Sequence, residues 1–273
     1  MSENQLPTLI IIGGGEDKKA DKKILKEIVK LSGQEKAKIG IITTATDYPD
    51  EVGMEYKNLF YDLGVYEVHT LSIMDRKHSN MRAKLDSILN YDCLFFTGGD
   101  QLKISSIIGG TYFHHIIHEF YHSGKILAGT SAGASMMSEI MIIEGYDEKA
   151  PAKAAINMSP GMGLIENVII DQHFNQRGRM GRLLSGVAQN PHILGIGIDE
   201  DTAIIVEEHR SFSVLGNGVV TIVDGRNIEY TNISEQFPDD PLALTNVVVH
   251  VLPENYGYDL INKKPILKKA IKS

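Results

Sequence analysis

The stretch Lys125-Ile126-Leu127-Ala128-Gly129-Thr130-Ser131-Ala132-Gly133-Ala134-Ser135 puts a serine between two glycines. A short apolar run precedes it, and an Ala/Met-rich segment of helical character follows at once. A serine on a sharp strand-to-helix turn has its hydroxyl pushed clear of the fold, where it can attack a carbonyl. Ser131 is therefore a candidate nucleophile. The amide of Ala132, at the N-terminus of the new helix, would point to where an oxyanion forms. A serine that only caps this helix is the plainer reading, but the Gly-x-Ser-x-Gly pattern and its strand-helix setting coincide here and favour the nucleophile.

Further motifs supply the other parts of an acyl-transfer site. In Phe96-Thr97-Gly98-Gly99-Asp100-Gln101 the glycines remove side chains beside the serine. The amides of Gly99 and Asp100 could then donate to a developing negative charge, and Gln101 could hold a substrate amide or carboxylate. The segment Asp171-Gln172-His173-Phe174-Asn175-Gln176-Arg177 places a histidine just past a strand end, so His173 is the best candidate base. His69, His78, His192, His209 and His250 lack such company. Arg177, Arg179 and Arg182 follow, and clustered guanidinium groups suit carboxylate recognition; a solvated helix face with salt bridges is the alternative. Asp199, Glu200 and Asp201 end another apolar run, and a carboxylate there could orient the histidine. Glu144, Asp147 and Glu148 compete for that role, and spacing does not choose among them.

Two other patterns are set aside. His114, His118 and His122 recur at helical spacing, but Phe113, Ile116, Ile117 and Phe120 form the core face of the same helix. The histidines then lie on a solvated flank, and no Cys or carboxylate completes a metal-ligand set. Gly13-Gly14-Gly15-Glu16-Asp17 follows a strand, yet it lacks the third glycine of a dinucleotide fingerprint and the Gly-Lys-Ser/Thr of a P-loop. Neither a metal nor a nucleotide cofactor is expected.

The elements that must position these residues repeat a pattern. Apolar runs at Leu9 to Ile12, Ile39 to Ile42, Val65 to Leu71, Cys93 to Phe96 and Lys125 to Ala128 each lead through a small-residue turn to a helical segment. Such near-continuous apolar strands predict an α/β fold, a three-layer, doubly wound, mostly parallel sheet covered on both faces. Ligands bind beyond the carboxyl ends of such strands, so the site should combine the turns after Ile12, Phe96 and Ala128. Val168 to Ile170 and Ile193 to Ile198 are expected to continue the sheet. From Ala203 the strands come at short spacing with Gly turns, which predicts antiparallel β material towards the C-terminus. The Lys-rich tail after Asn262 reads as a peripheral strand or solvated end.

With 273 residues and no Pro/Ser-rich linker, residues 1–273 read as a single α/β domain. A formal net charge of −8, with Lys and Arg mostly dispersed, argues against a nucleic-acid partner. The polar N-terminus lacks a basic leader, and no apolar run approaches the roughly 18 residues of a membrane span; a cytoplasmic location is expected. Cys93 is the only cysteine and sits in an apolar run, so it reads as a buried thiol rather than a nucleophile. An exposed β edge near Val247 makes a homodimer plausible.

Taken in order, GGGED, FTGGDQ, GTSAGAS, DQHFNQRGRMGRL and GIGIDEDTA closely resemble the cyanophycinase family. These are serine exopeptidases related to aspartyl dipeptidase, with a class I glutamine amidotransferase-like fold. The resemblance runs from about residue 8 to about residue 252. It implies hydrolysis of cyanophycin, a poly-aspartate backbone carrying arginine on its side chains, to β-aspartyl-arginine dipeptides. By motif, Ser131 would be the nucleophile and His173 the base, with Glu200 as the orienting acid and Glu148 as its rival. Gln101, Asp171, Gln172, Arg177, Arg179 and Arg182 would line the substrate site. The alternatives are an aspartyl dipeptidase or isoaspartyl peptidase acting on short peptides, and a non-catalytic binding protein on the same fold.

Overall fold

A computed structural model describes residues 6–145, 147–153, 155–235, 237 and 240–267. The strands are β1 (Thr8–Ile12), β2 (Lys38–Ile42), β3 (Glu67–Leu71), β4 (Cys93–Phe96), β5 (Ile126–Thr130), β6 (Ile140–Gly145), β7 (Ile156–Pro160) and β8 (Val168–Gln172). They continue as β9 (Leu194–Ile198), β10 (Thr202–Glu207), β11 (Ser211–Gly216), β12 (Val219–Asp224), β13 (Val248–Pro253), β14 (Gly257–Asp259) and β15 (Lys264–Ile266). The α-helices are α1 (Lys23–Leu31), α2 (Pro49–Asp62), α3 (Arg82–Leu85), α4 (Gln101–Ile108), α5 (Tyr112–His122), α6 (Ala132–Ser135) and α7 (Met180–Gln189).

The largest sheet has the order β15-β14-β11-β10-β1-β5-β4-β2-β3. Its segment β1-β5-β4-β2-β3 is wholly parallel, and β10, β11, β14 and β15 extend it antiparallel at the β1 edge. The period-2 alternation of each strand divides its side chains between two cores. Ile10, Ile12, Ile39, Ile41, Cys93 and Phe95 pack on one face with Ile24, Leu25 and Ile28 of α1 and Tyr56 and Phe60 of α2. Leu9, Ile11, Leu94, Phe96 and Leu127 pack on the other with Ile104 of α4 and Phe113 and Ile117 of α5. Cys93 lies fully buried among these groups, and burial pushes its thiol pKa up to about 12, as the sequence reading expected of a core thiol.

One expectation is corrected here. The runs at Val168 and Ile193 do not continue the large sheet; as β8 and β9 they pair in parallel and belong to a second sheet of order β13-β12-β9-β8. Ile170, Ile196, Ile198 and Ile222 turn one face of that sheet into the core shared with β1 and β5, while Ile169 and Val223 meet Leu183 and Val187 of α7 on the other. A strand buried on both faces reads the same whichever sheet it joins, so the sequence pattern could not make this distinction. The consequence is functional: the carboxyl ends of β1, β4 and β5 face those of β8 and β9. Beyond residue 203 the antiparallel expectation holds, and Lys264–Ile266 is a peripheral strand.

Candidate active site

The Ser131 turn is built by backbone crowding. A Cβ on Gly129 would stand 2.2 Å from the Gly133 carbonyl oxygen, and one on Gly133 would stand 2.3 Å from that of Phe96. Both glycines are thus needed for α6 to fold back onto the ends of β4 and β5. Ser131 sits between them at φ 54°, ψ −110°, a backbone conformation that costs on the order of 1–3 kcal/mol and has to be held by its surroundings. Its amide donates to Ile12 O at 3.1 Å, and its carbonyl accepts from the amides of Ala134 and Ser135. The strain turns the hydroxyl away from the sheet.

His173 follows β8 and meets that hydroxyl, with Nε2 2.9 Å from Ser131 Oγ. Its Nδ1 lies 2.6 Å from Glu200 Oε1. When Nδ1–H donates to the Glu200 carboxylate, the Nε2 lone pair faces the serine hydroxyl, which is the tautomer a general base requires. The imidazole is largely buried, whereas Glu200 is 40% exposed at the rim. Burial pushes the His173 pKa below its ordinary 6.5, the Glu200 hydrogen bond opposes this, and the Arg177 charge adds to the lowering. The lowering favours the neutral imidazole that a general base requires.

The turn after β1 packs against both partners. A Cβ on Gly14 would fall 2.3 Å from His173 Cε1, and one on Gly15 would fall 3.0 Å from the Glu200 carboxylate. The His173 amide donates to Gly13 O at 2.8 Å and the Asp201 amide to Gly14 O at 2.9 Å. Gln176, which sequence reading did not single out, accepts from the Glu200 amide through Oε1 at 3.0 Å. The rival acids are engaged elsewhere. Asp199 accepts from the amides of Asn175 and Val219, and Asp201 from the Asp17 amide and Asn217. Glu144 accepts from Asn157, Asp147 pairs with Arg179 and Arg182, and Glu148 packs against Gly178.

The turn after β4 lies beside the serine: a Cβ on Gly98 would be 3.4 Å from Ser131 Cβ. Here one expected donor is lost, because the Asp100 amide is already given to Ala45 O at 2.9 Å, and the Asp100 carboxylate caps α4 through the Leu102 amide. The amides of Gly99 and Ala132 have no acceptor among the described residues. Gln101 is buried, and its Nε2 donates to Ile142 O at 2.8 Å, which leaves its Oε1 as the acceptor end.

The three arginines separate. Asp171 is fully buried and receives Arg182 through Nε at 2.7 Å and through a close contact from its second guanidinium nitrogen. Arg179 donates to Asp147, to Gln172 O and to Gln172 Oε1. Asp171, Arg179 and Arg182 therefore form a buried ion network beneath the site instead of presenting open charges to a ligand, because a carboxylate sealed from water needs both guanidinium groups as partners. Gln172 is buried with them. Arg177 is exposed and makes no ion pair with another described residue. The histidine stripe on α5 also differs from expectation: Nε2 of His114 and of His118 both lie within 3.0 Å of Met162 O, so only part of it is a solvated flank. Among the described residues, no cluster of His, Cys, Asp or Glu could hold a metal ion, and no helix is long and apolar enough to cross a membrane.

A hydroxyl hydrogen-bonded to an imidazole, an imidazole hydrogen-bonded to a carboxylate, and the amides of Gly99 and Ala132, which have no acceptor among the described residues, can perform acyl transfer. The comparisons with known proteins agree in class. The model of peptidase family S51 matches residues 9–214. The chain is 37% identical over 253 residues to a protein of Synechococcus elongatus named cyanophycinase, covering 92% of this chain and 79% of that one. It is 36% identical to a cyanophycinase of Geminocystis herdmanii, covering 95% and 96%, and 40% identical to one of Trichormus variabilis, covering 91% and 83%. A crystal structure of a peptidase from an acI-B1 actinobacterium shares the fold at a TM-score of 0.62 and 22% identity, over 90% of this chain and 98% of that one. The chain belongs to peptidase family S51.

Proposed function

We propose that the protein is a serine exopeptidase that hydrolyses cyanophycin to β-aspartyl-arginine dipeptides through an acyl-enzyme. The observation that carries the reading is the hydrogen-bonded chain from Ser131 through His173 to Glu200, on a backbone turn strained to present the serine. The substrate is inferred from relatives named cyanophycinase at 36–40% identity over most of the chain.

In this reading Ser131 Oγ attacks a backbone carbonyl of the polymer while His173 Nε2 takes its proton. Negative charge that develops on the carbonyl oxygen is received by the amides of Gly99 and Ala132. As the tetrahedral intermediate collapses, His173 returns the proton to the departing amine, and the acyl group stays on Ser131 as an ester. Water then attacks the ester with His173 as base, which releases the carboxylic acid and restores the serine. Glu200 holds the imidazole tautomer and stabilises the imidazolium formed in each half-reaction. Arg177 offers an open guanidinium fork for a substrate carboxylate, and the acceptor end of Gln101 suits an arginine or amide donor. Asp171, Gln172, Arg179 and Arg182 act from below by fixing the floor of the site.

We also assign the protein to the cytoplasm, as a homodimer with no cofactor. The lone buried Cys93 suits a reducing compartment, and Val249 and Val251 of β13 are exposed on a sheet edge. Incubation with cyanophycin beside Asp-X and isoaspartyl dipeptides tests the substrate. Release of β-aspartyl-arginine from the polymer is expected; turnover of the short peptides alone would refute it.

A further inference from the structure

The mechanism above gives no part to the buried carboxyl of Glu16. Glu16 is 4% exposed and lies three residues beyond Gly13, in the turn that touches the Ser131, His173 and Glu200 segments. A carboxylate sealed from water is costly unless its oxygens are hydrogen-bonded. Both are engaged here: Thr130 Oγ1 donates to Oε2 at 2.6 Å, and the Tyr56 hydroxyl makes a close hydrogen bond to Oε1. Neither of these partners is a cation; among the described residues, two hydroxyls hold the carboxyl in place.

The position of these contacts is informative. Thr130 immediately precedes the strained serine and pairs in register with Ile12 across β1 and β5. Between Ile12 and Glu16 the turn makes a backbone contact to each segment of the relay: Ile12 O accepts from Ser131, Gly13 O from His173 and Gly14 O from Asp201. Gly14 lies against the imidazole and Gly15 against the Glu200 carboxylate. One end of the turn is fixed by the β1 ladder. The other is fixed where Glu16 meets Thr130 of the nucleophile strand and Tyr56 of α2.

We infer that Glu16 is a positioning residue for acyl transfer, its carboxylate tying the turn after β1 to Thr130 and Tyr56 and so setting the spacing of Ser131, His173 and Glu200. It touches none of the reacting atoms and acts through the turn. This rests on the serine-peptidase reading but not on the identity of the substrate.

The test uses the full chain with Glu16→Gln, Thr130→Val and Tyr56→Phe. Two readouts are taken: the rate of phosphonylation by a serine-directed fluorophosphonate, which needs the relay but no polymer, and kcat and KM on cyanophycin. A displacement of about 1 Å can cost on the order of 100-fold in rate. Glu16→Gln and Thr130→Val are each expected to slow labelling and kcat by roughly 10-fold or more with KM within about twofold. The double variant should lose little beyond the worse single, since both changes remove one contact. Tyr56→Phe leaves the Thr130 contact and should lose less. Wild-type labelling rates and kcat in both Glu16→Gln and Thr130→Val would overturn the inference, as would a KM increase with kcat unchanged. If Glu16→Gln does not fold, Thr130→Val and Tyr56→Phe decide alone, because each keeps the carboxylate. Absence of cyanophycin turnover in a wild type that still labels would sink the substrate assignment and leave this inference to the labelling rates.

Discussion

Replacing Gly14 by alanine separates the geometry of the relay from the stability of the fold. The added methyl carbon would lie 2.3 Å from His173 Cε1 and 2.5 Å from Nε2. Carbon contacts settle at about 3.5–4.0 Å, so the imidazole has to retreat by more than about 1 Å. Such a retreat carries Nε2 from 2.9 Å to beyond hydrogen-bond range of Ser131 Oγ, or pulls Nδ1 off Glu200. A misplacement of this size costs on the order of 100-fold in rate, or about 2.7 kcal/mol of transition-state stabilisation. Alanine at φ +91° also strains the backbone by on the order of 1–3 kcal/mol, so lost activity alone would be ambiguous. Gly64 provides the control: its φ is +89°, and a Cβ there meets nothing within 4 Å. Gly64→Ala should lower the denaturation midpoint comparably while leaving kcat/KM within about twofold. Gly14→Ala should lose about 100-fold in both kcat/KM and fluorophosphonate labelling at a temperature where each variant is folded. The reasoning fails if Gly14→Ala retains activity within a few-fold of wild type, or if Gly64→Ala loses as much.

Because burial lowers the His173 pKa, its base form persists to more acidic pH, and the acid limb of kcat/KM should lie below the ordinary histidine value of 6.5. Arg177→Gln removes a nearby cation and should move that limb upward; an unmoved limb would show that the Arg177 charge does not reach the imidazole. Glu200→Gln should cut kcat by about 100-fold or more through loss of the tautomer lock, whereas Glu148→Gln, at Gly178, should leave it within about twofold. Equal losses in the two variants would undo the assignment of the acid. Asp171→Asn leaves two buried guanidinium groups without their shared carboxylate and should destabilise the chain by about 3–5 kcal/mol in urea titration. An unchanged midpoint would mean that the network is not a structural one.

The sequence carried the parts of the site that depend on local geometry. Ser131 was legible because a nucleophile turn needs two glycines at fixed offsets from it, and the structure places a carbonyl oxygen against each of them. His173 was legible because it follows a continuous apolar run at the edge where α/β sheets bind ligands. The carboxylate partner of His173 was not, since Glu200 and Glu148 both follow strands near glycines, and only the meeting of two sheets brings one of them to Nδ1. The arginines illustrate the same limit: their spacing suits either a ligand or a buried carboxylate, and Asp171 takes two of them. Glu16 gave no signal beyond a polar residue after three glycines. Its role depends on Tyr56 and Thr130, 40 and 114 residues away.

The central claim is that Ser131 attacks the cyanophycin backbone. Its most direct test is to incubate wild type and Ser131→Ala with insoluble cyanophycin, following turbidity and identifying the soluble products by mass spectrometry. The account predicts clearing to β-aspartyl-arginine by wild type and none by the variant. Equal clearing by both proteins would contradict the nucleophile, and no clearing by wild type would contradict the substrate.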